Sequence, residues 1–292
     1  MSIKPFSMPT LIDNLTDTAR WVAAFRAEES ERPDALFHDP YARLLAGERG
    51  EQIANTIKFG RKNSWMIVAR TWLLDKHITA HIQQGYDTII NLAAGLDTRP
   101  YRMQLPSTLQ WIEVDMPGFI RYKQEMLANE KPVCLLEQVQ LDLSDRALRM
   151  ELFKRINNTA RKALVICEGL LVYLSEQQVA ELASDLSAQN NFTRWTFDLQ
   201  SPALLAAANK GVAETLNNSK PLFTFGPANG ELFFNAYGWE TMDSCSLLKT
   251  AAVLNRLPDE LATAAALPEP AQGPKGDFSW SGICLMENNY TN

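Results

Sequence analysis

A glycine turn with carboxylates at regular distances behind it is the part of this sequence most able to do chemistry. Ala93-Ala94-Gly95-Leu96-Asp97 follows an apolar run, Asp115 ends a second run, Asp142 follows a third, and Glu168 stands between the five-residue run Ala163–Cys167 and Gly169. A glycine turn with an acid about 20 residues on serves two ligand classes, dinucleotides and S-adenosylmethionine, since each carries a ribose whose hydroxyls a carboxylate can accept. The turn itself separates them. A pyrophosphate needs glycines at its approach and a positive helix N-terminus. Here there is no G-x-G-x-x-G, and Asp97 would repel two phosphates. S-adenosylmethionine brings an ammonium, a sulfonium and one carboxylate, which suit a mixture of acids and arginine. Asp97, Glu168, Arg70 and Arg99 supply that mixture.

Such residues must be held at strand ends, and the surrounding pattern provides strands. Tyr86–Ala93, Leu109–Asp115, Val133–Leu141, Ala163–Cys167 and Asn191–Asp198 are short apolar runs, separated mostly by helical stretches at Phe119–Asn129, Ser144–Asn157 and Ser175–Gln189. This alternation predicts an α/β fold with a parallel sheet and helices on both faces. Gly238–Ser244 and Phe278–Glu287 complete a seven-stranded sheet, with a helix over about Ser246–Leu257 between them. The first 82 residues read as a helical and irregular cover, with helices at Thr16–Arg26 and about Asn63–Gln83 and turns at Arg32-Pro33-Asp34 and His38-Asp39-Pro40. Residues 201–235 interrupt the alternation and read as a lid insertion, so the chain is expected to be one domain, 1–292, with two covering segments. In open α/β sheets ligands bind beyond the carboxyl ends of the strands, where strand order reverses.

Composition narrows the partners. The 292 residues are 46% hydrophobic and 21% charged, with net charge −6, which fits a globular chain and opposes a nucleic-acid partner. Met1–Leu11 has no apolar signal-like core, and no segment reaches the ~20 apolar residues of a membrane span. Four scattered cysteines without a CxxC pair argue against a disulfide framework and for a cytoplasmic location. A small-molecule acceptor is the expected partner, with neither nucleic acid nor membrane, and the sequence leaves monomer or homodimer open.

The ordered strings Asn91–Arg99 (NLAAGLDTR), Glu113–Pro117 (EVDMP), Leu141–Leu143 (LDL) and Glu168–Leu174 (EGLLVYL) resemble the leucine carboxyl methyltransferase family, and Thr18–Gly47 resembles the N-terminal segment of its bacterial branch, which includes tetracenomycin-type polyketide carboxyl O-methyltransferases. The similarity runs with gaps from about Thr18 to Leu285. It implies a Rossmann-like class I methyltransferase fold with a helical lid, and S-adenosyl-L-methionine as cofactor. It also implies roles. Arg70 would pair with the methionine carboxylate, Gly95 would admit the methionine moiety, Asp115 would bind the ribose, Asp142 and the Leu143 backbone would read the adenine, and Glu168 would lie near the ammonium. The family's first turn often reads Gly-x-Gly; Ala93 takes its first position here.

Other residues have plainer readings beside the functional ones. Arg70 and Arg99 could be surface ion pairs, worth ~0–1 kcal/mol. Asp145 reads as a helix N-cap. His77 and His81 share a helix face but have no third ligand, so no metal is expected. Tyr173 and Arg99 are candidates to touch the acceptor, and Tyr173 reads equally well as core. The aromatic group Phe223, Phe225, Phe233, Phe234, Tyr237 and Trp239 lines a pocket or anchors the insertion. No histidine sits at a strand end, so the absence of a base favours an acceptor already ionised, a carboxylate. Hydroxyl O-methylation of an aromatic metabolite, methylation of a protein C-terminal carboxylate, and a non-catalytic cofactor-binding protein stand as alternatives.

Overall fold

The computed structural model describes residues 15–56, 62–216, 221–270 and 272–290. The Met1–Leu11 stretch lies outside them, as do 57–61 of the expected cover and 217–220 of the expected lid.

Helices α1 (Leu15–Ser30), α2 (Ala42–Thr56) and α3 (Ser64–Gln83) precede the sheet. The alternating part then runs β1 (Thr88–Leu92), α4 (Arg99–Arg102), β2 (Gln110–Asp115), α5 (Pro117–Met126), β3 (Leu135–Gln140), α6 (Arg146–Thr159), β4 (Ala163–Cys167), α7 (Glu176–Ser187) and β5 (Phe192–Gln200). Helix α8 (Pro202–Leu216), a 3-10 segment (Gly230–Tyr237), β6 (Trp239–Ser246), α9 (Leu247–Val253), α10 (Ala262–Ala266) and β7 (Ser281–Asn288) close the chain.

The seven strands lie in the order β3-β2-β1-β4-β5-β7-β6, with β7 antiparallel between β5 and β6. Every residue of β1 and β4 is buried, as central parallel strands covered on both faces require, whereas β3 at the edge is half exposed. The period of two sorts their side chains. Ile89 meets α3 and α9 with Trp111, Leu164 and Ile283, while Ile90 and Leu92 meet Leu152 and Phe153 of α6 and Val179 and Leu182 of α7. From β1 the chain builds outward through β2 to β3, then returns to place β4 on the other side of β1. The crevice at that reversal is where the acids converge.

The cover differs from its sequence reading. Helix α1 runs four residues past Arg26, and α2 stands where the sequence shows only turns and irregular chain. It is two helical pieces meeting at Gly47, whose φ of 59° breaks the turn, and that interruption hides its periodicity. Strand β3 starts at Leu135 rather than Val133, because the Val133 N–H is drawn away to the Pro100 carbonyl. Helix α9 stops at Val253, short of Leu257. No described helix is long and apolar enough to cross a membrane.

Candidate functional site

The strand ends open into a cavity of about 490 Å³ lined by Gly95, Asp97, Asp115, Asp142, Leu143 and Glu168, with Arg70 and Arg99 among them. Five elements therefore bring together all eight residues proposed as cofactor contacts, Ala93 included. Helix α1 and the first turns of α3 cover it through Thr18, Trp21, Val22, Met66 and Ile67.

The first turn is shaped by backbone strain. Gly95 has φ 50°, and Ala93 adopts φ 54°, a conformation an L-residue takes at a cost of roughly 1–2 kcal/mol. So Ala93 stands where the backbone is built for glycine. The turn is tied to β2: Gly95 N–H donates to Asp115 Oδ2 at 2.6 Å, and Met116 N–H donates to Oδ1 at 2.7 Å. Burial raises the Asp115 carboxyl, against those two donors. It faces the cavity with acceptor capacity left on both oxygens. The turn is also tied to the cover, since Arg26 Nη2 of α1 donates to Leu96 O at 2.6 Å while its Nε pairs with Asp39 at 2.9 Å.

Beyond β3, Asp142 accepts from Ser144 N–H at 2.9 Å, which lowers its pKa. Asp145 caps α6 through Leu148 N–H at 3.1 Å, the role its sequence position suggested. Arg149 holds the loop from below, donating to Leu143 O at 2.5 Å and pairing with Asp185.

At the centre lies a charge network. Arg70 Nε donates to Glu168 Oε1 at 3.0 Å, and its Nη1 approaches Asp198 Oδ2 at 3.5 Å. Arg99 pairs with Asp75 at 2.6 Å, Glu168 at 2.8 Å and Asp97 at 3.0 Å, and Arg102 also holds Asp75. Burial alone would raise the Glu168 carboxyl, but Arg99 and Arg70 outweigh it and hold it low. The same opposition, with Arg99 dominant, brings Asp97 down to about 2. Asp198 is raised, because burial exceeds the help from Arg70 and from Gly169 N–H, which donates to it at 2.5 Å. Gly169 has φ 70°, and a Cβ there would stand 3.3 Å from Arg70 Nη1. The glycine lets Arg70 lie across the end of β4.

Arg99, a candidate to touch the acceptor, lines the cavity but is largely engaged in ion pairs. It is 1% exposed and bound to three carboxylates, and its Nη2 is buried without a partner. Burial on this scale forces a cation to be paired. Tyr173 lines the cavity with its hydroxyl bonded to Thr18, and burial raises its pKa. The aromatic group divides. Phe223 lines the cavity, whereas Phe225, Phe233, Phe234 and Trp239 pack with Trp195 and Phe197 in the core below it. His77 and His81 do not reach the cavity: His77 Nδ1 meets Thr196 Oγ1 at 3.0 Å, and His81 Nδ1 meets His77 O.

Sequence reasoning missed Asp75, Asp198, Asn91, Arg26 and Arg149. Asp198 gave a signal, as an acid ending the fifth apolar run. Asn91, which donates to Asp97 Oδ2 at 2.7 Å, was a polar residue inside a buried strand. Asp75, Arg26 and Arg149 lie on helices and gave none.

Comparison with known proteins places the chain in a family. Residues 19–187 match the family model described as leucine carboxyl methyltransferase. A Mycobacterium sp. (strain KMS) protein named "Putative S-adenosyl-L-methionine-dependent methyltransferase" is 30% identical over 295 residues, covering 92% of this chain and 93% of that one. A Streptomyces coelicolor relative of the same description is 29% identical over 281 residues, covering 90% and 93%. Among solved structures, a DUF574 family protein from Streptomyces avermitilis superposes with TM-score 0.59 at 12% identity, covering 93% of this chain and 97% of that one. One from Thermobifida fusca gives TM-score 0.57 at 12% identity, covering 98% and 99%. The seven-stranded fold is shared with both, and the chain belongs to the leucine carboxyl methyltransferase family, a family of S-adenosylmethionine-dependent methyltransferases.

Proposed function

We propose that the protein is an O-methyltransferase that moves the methyl group of S-adenosyl-L-methionine onto the carboxylate of a small, largely apolar organic acid. The observation that carries the acceptor class is what the cavity lacks. Among the described residues no histidine or lysine lines it; Asp97, Glu168 and Asp198 are each bound to a guanidinium, Asp115 and Asp142 accept from main-chain N–H groups, and Glu181 accepts from the Gln177 amide. A carboxylate needs no base, having lost its proton well below neutrality.

The donor set fits the cofactor. Arg70, Arg99 and Arg102 face Asp75, Asp97, Glu168 and Asp198, so the network holds three guanidiniums against four carboxylates. That excess negative charge matches a ligand with one excess positive charge. Asp115 would accept from the ribose hydroxyls, Asp142 from the adenine amino group beside the Leu143 backbone, and Gly95 leaves room for the methionine chain. Arg70 would hold the methionine carboxylate and Glu168 would lie near the ammonium. When bound, S-adenosylmethionine supplies an electrophilic methyl group on a sulfonium whose charge also attracts an anionic acceptor. The chain positions and excludes water: α1, Met66, Tyr173 and Phe223 cover the strand ends, and restricting the two reactants to one line contributes much of such a rate.

The pH profile tests the acceptor class. Methyl transfer to a cognate carboxylate should be nearly flat from about pH 6 to 9, because a group with a reference pKa near ~4 stays ionised throughout. A rate climbing steeply through that window, with an alkali-stable product, would replace the carboxyl reading with hydroxyl methylation.

A further inference from the structure

We infer that Phe223 sets the size limit of the acceptor end of the cavity, and that Asn209 is the positioning residue that holds it there. This rests on the proposed function and extends it to the kind of acid accepted.

The segment around Phe223 is fastened at its main chain from two sides. Asn209, on α8, accepts from Leu222 N–H and Phe223 N–H, both at 3.0 Å, and donates to Phe223 O at 2.8 Å. From the other side, Thr224 and Phe225 N–H donate to Val172 O at 2.7 and 3.2 Å, and Thr224 Oγ1 donates to Leu174 O at 2.8 Å. A loop outside the sheet has its backbone groups satisfied by one side chain and one neighbouring loop. The ring of Phe223 is thereby set 5.6 Å from that of Tyr173, whose hydroxyl is bonded to Thr18 of α1. Phe225, two residues on, turns into the core. Asn209 makes these three bonds to main chain, so its effect on an acceptor must pass through Phe223.

Apart from the charged network the lining is mostly apolar, with Trp21, Val22, Met66, Leu174, Leu204 and Phe223 in it. The arginines at the cavity all have carboxylate partners, Arg26 with Asp39, Arg70 with Glu168, Arg99 with Asp97 and Arg149 with Asp185. The cofactor's sulfonium would then be the one charge left to face an acceptor carboxylate, and a second carboxylate would be buried without a partner, which is costly. The acceptor class is therefore an acid with one carboxylate and an apolar body limited in size by the Phe223 ring.

Calorimetric titration of benzoate, 1-naphthoate, anthracene-9-carboxylate and phthalate into the full chain saturated with sinefungin, a positively charged cofactor analogue, tests this. Phe223→Ala should shift the ratio of anthracene-9-carboxylate to benzoate affinity about tenfold toward the larger acid, the scale of one aromatic contact plus the space it frees. Asn209→Ala should shift it in the same direction by less. Sinefungin affinity is measured first for each variant, so that every acid is titrated into the saturated protein. An unchanged ratio in Phe223→Ala overturns the size limit, and Asn209→Ala lowering the melting temperature at a constant ratio reduces Asn209 to a fastener. Phthalate binding as tightly as benzoate overturns the single-charge rule. Wild type binding sinefungin but none of the acids overturns the inference as a whole, whereas no binding of sinefungin overturns the function on which it rests.

Discussion

The two walls of the cavity are built from opposite materials. The strand-end wall is a set of charged side chains, each fixed by others: Arg99 by Asp75, Asp97 and Glu168, and Glu168 in turn by Arg70. The covering wall is mostly apolar, and it is fixed through main-chain groups, α1 by Arg26 to the Leu96 carbonyl of the first turn and Phe223 by Asn209. A change in the first leaves a buried charge unpaired. A change in the second leaves a gap. The first wall suits a ligand common to a whole family, and the second can vary its aromatic residues without disturbing the charges beneath.

Removing the centre of the charged wall should have the largest effect. Arg99→Leu leaves Asp75, Asp97 and Glu168 short of a partner and should cost about 3–5 kcal/mol of stability, read from urea unfolding. A loss below ~1 kcal/mol would mean the network behaves like solvated surface pairs, and the contrast between the walls would fail.

The scaffold helix behind the charged wall should show itself in acid. Burial, with His81 nearby, pushes the His77 imidazole down to about 4, against a small opposing effect of Asp243. Its folded pKa lies below the unfolded value near ~6.5, so the unfolded chain takes the proton first. That stability is complete above pH 6.5 and is lost as pH falls toward about 4, by on the order of 3 kcal/mol. His77→Gln should flatten the stability profile in that window. If the profile of the variant keeps its slope, the acid sensitivity belongs elsewhere.

A smaller pair of effects separates ligand contacts from scaffold within the charged wall. Asp115→Ala should weaken S-adenosylhomocysteine binding by roughly 1.5–3 kcal/mol, the range for hydrogen bonds to a charged group. Asp145→Ala should leave that affinity alone and cost ~1 kcal/mol of stability through the lost cap. Exchanged phenotypes in the calorimetric and unfolding measurements would reverse the two assignments.

Much of the strand-end wall was legible because local pattern fixes strand ends. The run Ala163–Cys167 is β4 to the residue, and Glu168 must then stand at the carboxyl end of the sheet. The cover was less legible. Helix α2 is broken at Gly47, and α1 packs its alanines, Ala23 and Ala24, where apolar periodicity is weak. Phe223, Phe225, Phe233 and Phe234 look alike in the sequence, and which of them meets the cavity depends on partners distant along the chain.

By itself the sequence determined the alternation of strand and helix, the glycine turn, the acids that end the strands and the kinship carried by four short strings. These are local properties, set by side-chain period, by the backbone freedom of glycine and by residue order. Tertiary structure alone decided that Arg99 pairs with three carboxylates, that Asp75 and Asp198 join the network, and that Asn209 holds Phe223 over the strand ends. Each of these joins elements that the sequence separates, and the energy of a buried charge or an aromatic wall depends on neighbours in space, which spacing along the chain does not encode.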